Sequence, residues 1–126
     1  MPIEKTVDPR LKCTEYRVTG KVTPDEFKTE LLAFYSGEIT ENVLWDLTGA
    51  DLFGISAKDA DNLATFRARF NQSMNRKKTA FVAIGEHANN LSTWFKKYGE
   101  FDSLPFKVRV FSSLIEAKEW LNTANP

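Results

Sequence analysis

The chain has 126 residues, a length at which one domain is expected, and we predict a single domain over residues 1–126. Its 17 basic and 17 acidic residues give a formal net charge of zero, so no global positive field attracts nucleic acid, and we expect no nucleic-acid partner. A lone Cys13 and a lone His87 exclude an internal disulfide and a His/Cys zinc tetrad. We expect no metal and no other cofactor.

The cysteine usage is typical of a reducing compartment, and we expect a cytoplasmic protein. The longest apolar run, residues 80–84, is too short to span a membrane, and the charged first ten residues do not resemble a signal peptide. The composition therefore predicts a globular protein with neither a membrane span nor a leader.

The N-terminal third predicts a hairpin followed by a helix. Two short runs of β-branched and aromatic residues, 3–7 and 11–18, flank the turn signal at residues 8–10. Residues 23–26, Thr-Pro-Asp-Glu, form a capping box with proline at the first helical position, which predicts a helix over residues 24–36. The apolar stripe of this helix consists of Phe27, Leu31, Phe34 and Tyr35.

The middle of the chain predicts a strand and a second helix. Residues 43–47 form an apolar run with one carboxylate, Asp46, which is typical of an interior parallel strand, and residues 48–51 have the composition of a loop. Ser56 and Asp59 predict the start of the second helix. Its inward residues are Ala60, Leu63, Ala64 and Phe70.

The last third continues the alternation. Residues 79–84 predict a buried strand ended by Gly85, and a third helix follows. Residues 106–111 predict the final strand, and Ser113 with Glu116 caps the last helix. The order ββαβαβαβα predicts an α/β fold with parallel pairing after the hairpin. The inward residues of these two helices are Ala88, Leu91, Trp94, Phe95, Tyr98, Leu114, Ala117 and Leu121.

Two loops carry the candidate site. Ligands of open parallel sheets bind beyond the carboxyl ends of the strands, at the switch point of strand order. Residues 48–56 and 85–87 each lead into a helix N-terminus, so we expect them to be neighbours at one rim, where an anion would also be favoured. Ordinary βα turns explain the same residues. The candidate ligand- or partner-binding residues are Asp46, Thr48, Asp51, Phe53, Gly54, Ser56, Gly85 and His87.

The sequence gives little support for catalysis. It has neither a P-loop nor a dinucleotide fingerprint, and nothing places His87 beside a nucleophile. We therefore expect no enzyme and assign no catalytic residue. For Asp46 we favour a structural role, as an acceptor of backbone hydrogen bonds from the residues that follow it. The basic segment within residues 72–78 is interpreted as a solvated loop.

Aromatic residues exceed what four short helices need to cover one sheet. Core filling is one explanation of this surplus, and a homodimer contact or an apolar ligand pocket is the other. The candidate pocket residues are Phe66, Phe70 and Trp94.

Three segments carry a family resemblance. Residues 18–27, residues 80–85, and the C-terminal Phe111, Glu116-Ala117 and Trp120-Leu121 together resemble the SpoIIAA-like (STAS-like) family of small bacterial proteins. The resemblance implies a mixed sheet of four or five strands with helices packed against it, and no established enzymatic activity. Among the relatives, the anti-sigma-factor antagonists and transporter STAS domains, it implies binding to protein partners.

The same resemblance implies a phosphorylation switch in the antagonists, at a serine that follows an aspartate after the third strand. Here Gly54-Ile55 occupies that pair, and Ser56 comes one residue later. A phosphate on Ser56 would lie at a helix N-terminus and be stabilised there, so we do not expect the switch to be retained. The wider group also resembles the lipid-carrying CRAL-TRIO architecture.

These observations predict a non-enzymatic binding or regulatory module of the bacterial cytoplasm, with an unknown protein as its partner. The alternative is a carrier of a small apolar ligand or lipid, with a pocket between helices and sheet. We expect a homodimer in either case.

Overall fold

The computed structural model describes residues 2–69, 77–101 and 107–123. Within these ranges, five strands and four helices follow one another in the predicted order. They are β1 (Ile3–Asp8), β2 (Cys13–Lys21), α1 (Pro24–Ser36), β3 (Asn42–Asp51), α2 (Ala57–Ala68), β4 (Lys78–Val82), α3 (Gly85–Phe101), β5 (Lys107–Phe111) and α4 (Leu114–Leu121).

The strands form one mixed sheet in the order β1-β2-β3-β4-β5. β1 and β2 are the antiparallel hairpin, and every later pair is parallel. The mixed α/β architecture is confirmed. The expected switch point is wrong for these strands, because each crossover adds the next strand on the same side and the order never reverses. All four helices nevertheless begin at the carboxyl ends of β2 to β5, which we call the carboxyl rim.

The sheet is covered differently on its two faces. One face packs under α1 and α3, with α2 in contact with both helices. The other packs under α4 alone, over β3, β4 and β5. The buried apolar residues of the first face are Tyr16, Val18, Val22, Phe34, Val43, Trp45, Leu47, Leu52, Ala83 and Leu91. Those of the second face are Cys13, Leu44, Ala80, Val82, Phe111, Ala117 and Leu121.

Local sequence signals fix most of the element starts. Asp8 Oδ1 accepts hydrogen bonds from the amides of Arg10 and Leu11 in the hairpin turn. Thr23 with Glu26, and Ser56 with Asp59, form complete capping boxes. At α4, the side chain of Ser113 accepts from the Glu116 amide, which is one half of the predicted box.

Two predicted boundaries are wrong. Residues 48–51, predicted as a loop, belong to β3, because residues 49–51 pair with residues 19–21 of β2 and this pairing overrides the local glycine. Residues 85–87 form the first turn of α3 rather than a loop, and β4 ends at Val82 rather than at residue 84. The two segments of the candidate site are therefore shorter than the sequence suggests.

The basic segment also differs from its prediction. Residues 71–76 lie outside the described ranges, but Lys78 is the first residue of β4 and is only 3% exposed. Its ammonium donates to the carbonyl oxygens of Trp120 and Thr123 at the end of α4, at 2.7 and 2.8 Å. Lys78 is therefore a buried anchor of α4 and not part of a solvated loop.

Candidate functional site

A β-bulge in β3 shapes the approach to the carboxyl rim. Val18 of β2 lies opposite two residues of β3, Leu47 and Thr48. Asp46 Oδ1 accepts the backbone N–H of Thr48 at 3.1 Å and its hydroxyl at 2.7 Å, and the Arg17 guanidinium lies 3.9 Å from Oδ2. Asp46 is buried and satisfies the amide that the bulge withdraws from the strand ladder. The structural role predicted for this carboxylate is present.

The bulge reverses the alternation of side chains along β3. Before it, Val43, Trp45 and Leu47 face the core under α1 and α3; after it, Ala50 and Leu52 face that core. A regular strand would have placed the last two on the opposite face, since a shift of one residue exchanges the faces. The bulge therefore sets the orientation of the residues that leave β3 at the rim.

A histidine connects the two predicted site segments. The backbone N–H of Leu52 donates to His87 Nε2 at 3.3 Å, and the ring of Phe53 packs against the imidazole with centroids 4.5 Å apart. An accepting Nε2 carries no proton, so the neutral ring has its hydrogen on Nδ1. The segment after β3 and the first turn of α3 are thus in direct contact, at the ends of two parallel neighbouring strands.

Two large apolar side chains, one in each of these two segments, face solvent. Phe53 is 70% exposed and Ile84 is 56% exposed. The backbone N–H of Phe53 donates to Asp51 Oδ1 at 3.0 Å, which closes a turn of the kind that aspartate favours. We call residues 51–54 and 84–87 the rim surface.

Gly85 gives the rim surface its second sharp change of direction. Its φ is +60°, in the left-handed region that side chains with a Cβ rarely adopt, while a Cβ built there would meet no atom within 4 Å. The requirement for glycine is therefore conformational and not steric. It lets α3 begin directly behind the end of β4.

Seven of the eight predicted site residues divide into two groups, and the eighth, Ser56, is the N-cap of α2. Asp51, Phe53, Gly54, Gly85 and His87 lie together in the rim surface. Asp46 and Thr48 lie back along β3, about 16 Å and 10 Å from Asp51 at 3.3 Å per residue. They act on the rim surface only through the bulge.

One nitrogen of the His87 ring is already engaged in a hydrogen bond. The Nε2 lone pair of His87 is taken by a backbone amide, so this nitrogen is not free to remove a proton from a substrate. In the described part of the chain, no group of three or more His, Cys, Asp or Glu side chains could hold a metal ion. The exposed rings and aliphatic side chains are suited instead to contact with another molecule.

The candidate pocket is not assembled by the residues that the structure describes. Phe66 lies ten residues after Ser56 on α2, which places it about 15 Å from the rim. The ammonium of Lys28, a residue of α1, lies over the Phe66 ring. Phe70 and the side chain of Trp94 lie outside the described part of the structure. The apolar pocket and the homodimer stay predictions from the sequence.

The family profile decides the identification. The sequence profile of the SpoIIAA-like family matches residues 13–122. The chain belongs to the SpoIIAA-like family. A crystal structure of an anti-sigma factor antagonist from Mycobacterium paratuberculosis has a TM-score of 0.63 and 12% identity, covering 96% of this chain and 95% of that chain.

A second SpoIIAA-like structure is similar over the same length. It is an uncharacterized protein of the DUF3478 family with a SpoIIAA-like fold from Shewanella loihica PV-4, with a TM-score of 0.59 and 21% identity, covering 94% of this chain and 93% of that chain. At these identities the likeness shows a shared fold. No curated protein matches the sequence.

The residues after β3 differ from those that the SpoIIAA-like resemblance implies for a phosphorylation switch. Ile55, at the position of the acceptor serine, packs against the core. The hydroxyl of Ser56 accepts the Asp59 amide at 3.1 Å, while the Ser56 amide donates to Asp59 Oδ2 at 2.9 Å. In this SpoIIAA-like protein the serine is engaged in the cap of α2.

Sequence reasoning missed Ile84 as a surface residue of this SpoIIAA-like protein. It follows three buried residues of one apolar run and was assigned to the buried strand itself. The glycine after it was the available signal, because a left-handed residue directly after a strand turns the chain away from the sheet. Within the described ranges, no helix is long and apolar enough to cross a membrane.

Proposed function

We propose that this SpoIIAA-like protein is a non-enzymatic, regulatory protein-binding module that contacts its partner through the rim surface. We propose that the protein acts as a single domain in the bacterial cytoplasm. The observation that carries it is the pair of exposed apolar side chains, Phe53 and Ile84. They belong to the two segments that the hydrogen bond between the Leu52 amide and His87 Nε2 joins.

The energetics support a protein partner. Burying an exposed aromatic or branched aliphatic side chain contributes about 1.5 to 3 kcal/mol, and anchors of this kind dominate protein interfaces. An anchor whose neighbours are already ordered costs less conformational entropy on binding. The Asp51 turn and the His87 contact supply that order before a partner arrives.

The family supports the same class of function. One solved structure with this fold is of an anti-sigma factor antagonist, a protein named for opposing another protein's action. Ser56 caps α2 and Ile55 is partly buried against the core, so neither residue supports the phosphorylation switch that the family resemblance implies. We propose binding at the rim without that switch.

Co-purification tests the proposal. Phe53→Ser removes the exposed ring, while Leu32→Ser removes a side chain of similar exposure, 50%, from the middle of α1. Quantitative mass spectrometry of host extracts should find proteins that co-purify with the wild type and with Leu32→Ser but not with Phe53→Ser. If Phe53→Ser retains every partner, the rim surface is not the binding site.

A further inference from the structure

Three exposed apolar side chains share the carboxyl rim. Phe53, Ile84 and Ile115 follow β3, β4 and β5, and they are 70%, 56% and 71% exposed. Neighbouring strands lie about 4.8 Å apart, so the three strand ends span about 10 Å. We call these three exposed side chains of the carboxyl rim, Phe53, Ile84 and Ile115, the apolar band.

The direction of Ile115 follows from its neighbours on α4. Lys118, three residues later on the same side of the helix, reaches Glu15 of β2 with 3.7 Å between their charged atoms. Trp120, on the other side, packs against Phe111 of β5. Ile115 therefore projects into solvent on the side of α4 that is nearer to β2 and β3.

Acidic side chains surround this band. They belong to the end of β3 and to the first turns of the four helices, where carboxylates stabilise the positive end of each helix dipole. Basic residues of the described rim are fewer, namely Lys21 and Lys58. The acidic residues are Asp25, Glu26, Asp51, Asp59, Glu86 and Glu116.

The helix dipoles compensate only part of this charge. Each helix N-terminus is equivalent to about half a positive charge, and the effect is confined to its first turn. Among the described residues of the opposite rim the balance is reversed, with four acidic residues against six basic ones: Asp8, Glu38, Glu41 and Glu119 are accompanied by Arg10, Lys12, Arg69, Lys77, Lys78 and Lys107. The zero net charge of the chain therefore hides an acidic carboxyl rim and a basic opposite rim.

We propose that the occupant of the rim surface is a basic segment of a partner protein, in which lysine or arginine residues flank aromatic or branched aliphatic anchors. This inference rests on the proposed function. The anchors bury the band of Phe53, Ile84 and Ile115, and the basic side chains approach Glu86 and Glu116, both exposed. Complementary charge speeds association and discriminates against acidic partners.

Selection from a library of random peptides displayed on phage tests this inference with the full chain as bait. We expect the enriched peptides to carry a net positive charge and at least one aromatic or branched aliphatic residue. Synthetic peptides of the enriched sequences then serve as probes in fluorescence anisotropy. Their binding should weaken as salt is raised, since exposed charges are screened over about 10 Å at 0.1 M salt.

Charge reversal provides the matched control. The variant Glu86→Lys/Glu116→Lys changes the carboxyl rim, and Glu38→Lys/Glu119→Lys makes the same change of net charge at exposed positions of the opposite rim. We expect the first to weaken binding of the basic probe roughly tenfold and the second to leave it within about twofold. Equal effects of the two variants would overturn the inference.

The outcomes separate this inference from the function on which it rests. Neutral or acidic peptides that lose binding in Phe53→Ser would overturn the basic partner while supporting the rim surface as the site. Peptides that bind Phe53→Ser as well as the wild type would overturn the rim surface itself. A dimer in light scattering that Glu86→Lys/Glu116→Lys dissociates would show a second copy of the chain as the occupant and overturn the separate partner.

Discussion

Asp46 is a buried carboxylate whose main partner lies only two residues away. Its Oδ1 accepts both the amide and the hydroxyl of Thr48, and through these bonds it holds the bulge that turns Leu52 toward the core. The side chain itself lies outside the rim surface. Its contribution to function is therefore exerted through the backbone of β3.

Replacing Asp46 tests this role. Asp46→Ala leaves the Thr48 amide without its acceptor, and we expect it to lower the free energy of unfolding by about 1 to 3 kcal/mol. Asp46→Asn retains an acceptor and should cost less. Asp51→Ala, which removes the acceptor of an exposed turn, should cost less than about 1 kcal/mol. Urea denaturation measures all three, and equal losses for Asp46→Ala and Asp51→Ala would contradict the role of the bulge.

Lys78 is the second buried charged residue, and its burial affects its pKa. Its ammonium lies among the last carbonyls of α4, at the negative end of the helix dipole, and 5.2 Å from the centroid of the Trp120 ring. Burial lowers the pKa of Lys78 below 10.5, and the nearby charges of Lys77 and Lys107 lower it further. The folded protein therefore releases this proton at a lower pH than the unfolded chain.

The lowered pKa of Lys78 determines how the free energy of unfolding changes with pH. Between the lowered pKa of Lys78 and 10.5, the unfolded chain binds more protons than the folded one, so this lysine makes the free energy of unfolding rise with pH. Lys78→Met lacks this titration. We expect the stability difference, wild type minus Lys78→Met, to increase across that window in urea denaturation. A difference that stays flat or decreases would show that Lys78 is not desolvated.

The sequence predicted the role of Asp46 but not that of Lys78, for a physical reason. The partner of Asp46 is two residues away, so a carboxylate near a strand end already suggests the bond. The partners of Lys78 are 42 and 45 residues away, and its neighbours in sequence are also basic, which is typical of a solvated loop. Long-range partners leave no local signal.

At the scale of elements, His87 links α3 to the segment that follows β3. The bond between the Leu52 amide and Nε2, together with the contact to Phe53, joins two segments that are distant in sequence. Parallel pairing of β3 and β4 brings them together, since both strands end at the carboxyl rim. His87 therefore adds a direct side-chain connection between the two segments of the rim surface.

Hydrogen exchange tests this link. His87→Ala removes the acceptor of the Leu52 amide, and we expect that amide to exchange about fivefold faster, as the loss of one net hydrogen bond of about 1 kcal/mol implies. His87→Gln, which offers an amide oxygen, should restore part of the protection. Exchange at Leu52 that is unchanged in His87→Ala would show that the segment is ordered without the histidine.

Among the elements, too, the boundaries set by local signals were predictable from the sequence, and the others were not. The hairpin and the starts of α1 and α2 were predictable, because their signals lie within four residues of each boundary. The end of β3 and the start of α3 were not, since pairing with β2 extends the first and a single left-handed glycine sets the second. Of the site, sequence predicted the neighbouring segments but not the bulge or the His87 bond.

At the scale of the whole molecule, the parallel direction of β2 to β5 gives the four described helices a common starting edge. That edge collects the exposed apolar residues Phe53, Ile84 and Ile115 together with an excess of carboxylates. The family shows the fold, and from this distribution of apolar surface and charge we propose that this edge is the binding surface. The central claim is that the partner contacts the carboxyl rim.

Site-specific photo-cross-linking in the living host cell tests that claim most directly. A photoreactive phenylalanine analogue placed at position 53 or 84 lies in the rim surface, and one placed at position 7 or 32 lies at a similarly exposed apolar site elsewhere. We predict that one and the same protein is captured from positions 53 and 84 and is not captured from positions 7 and 32. Capture of a partner from position 7 or 32, with none from position 53 or 84, would contradict the account.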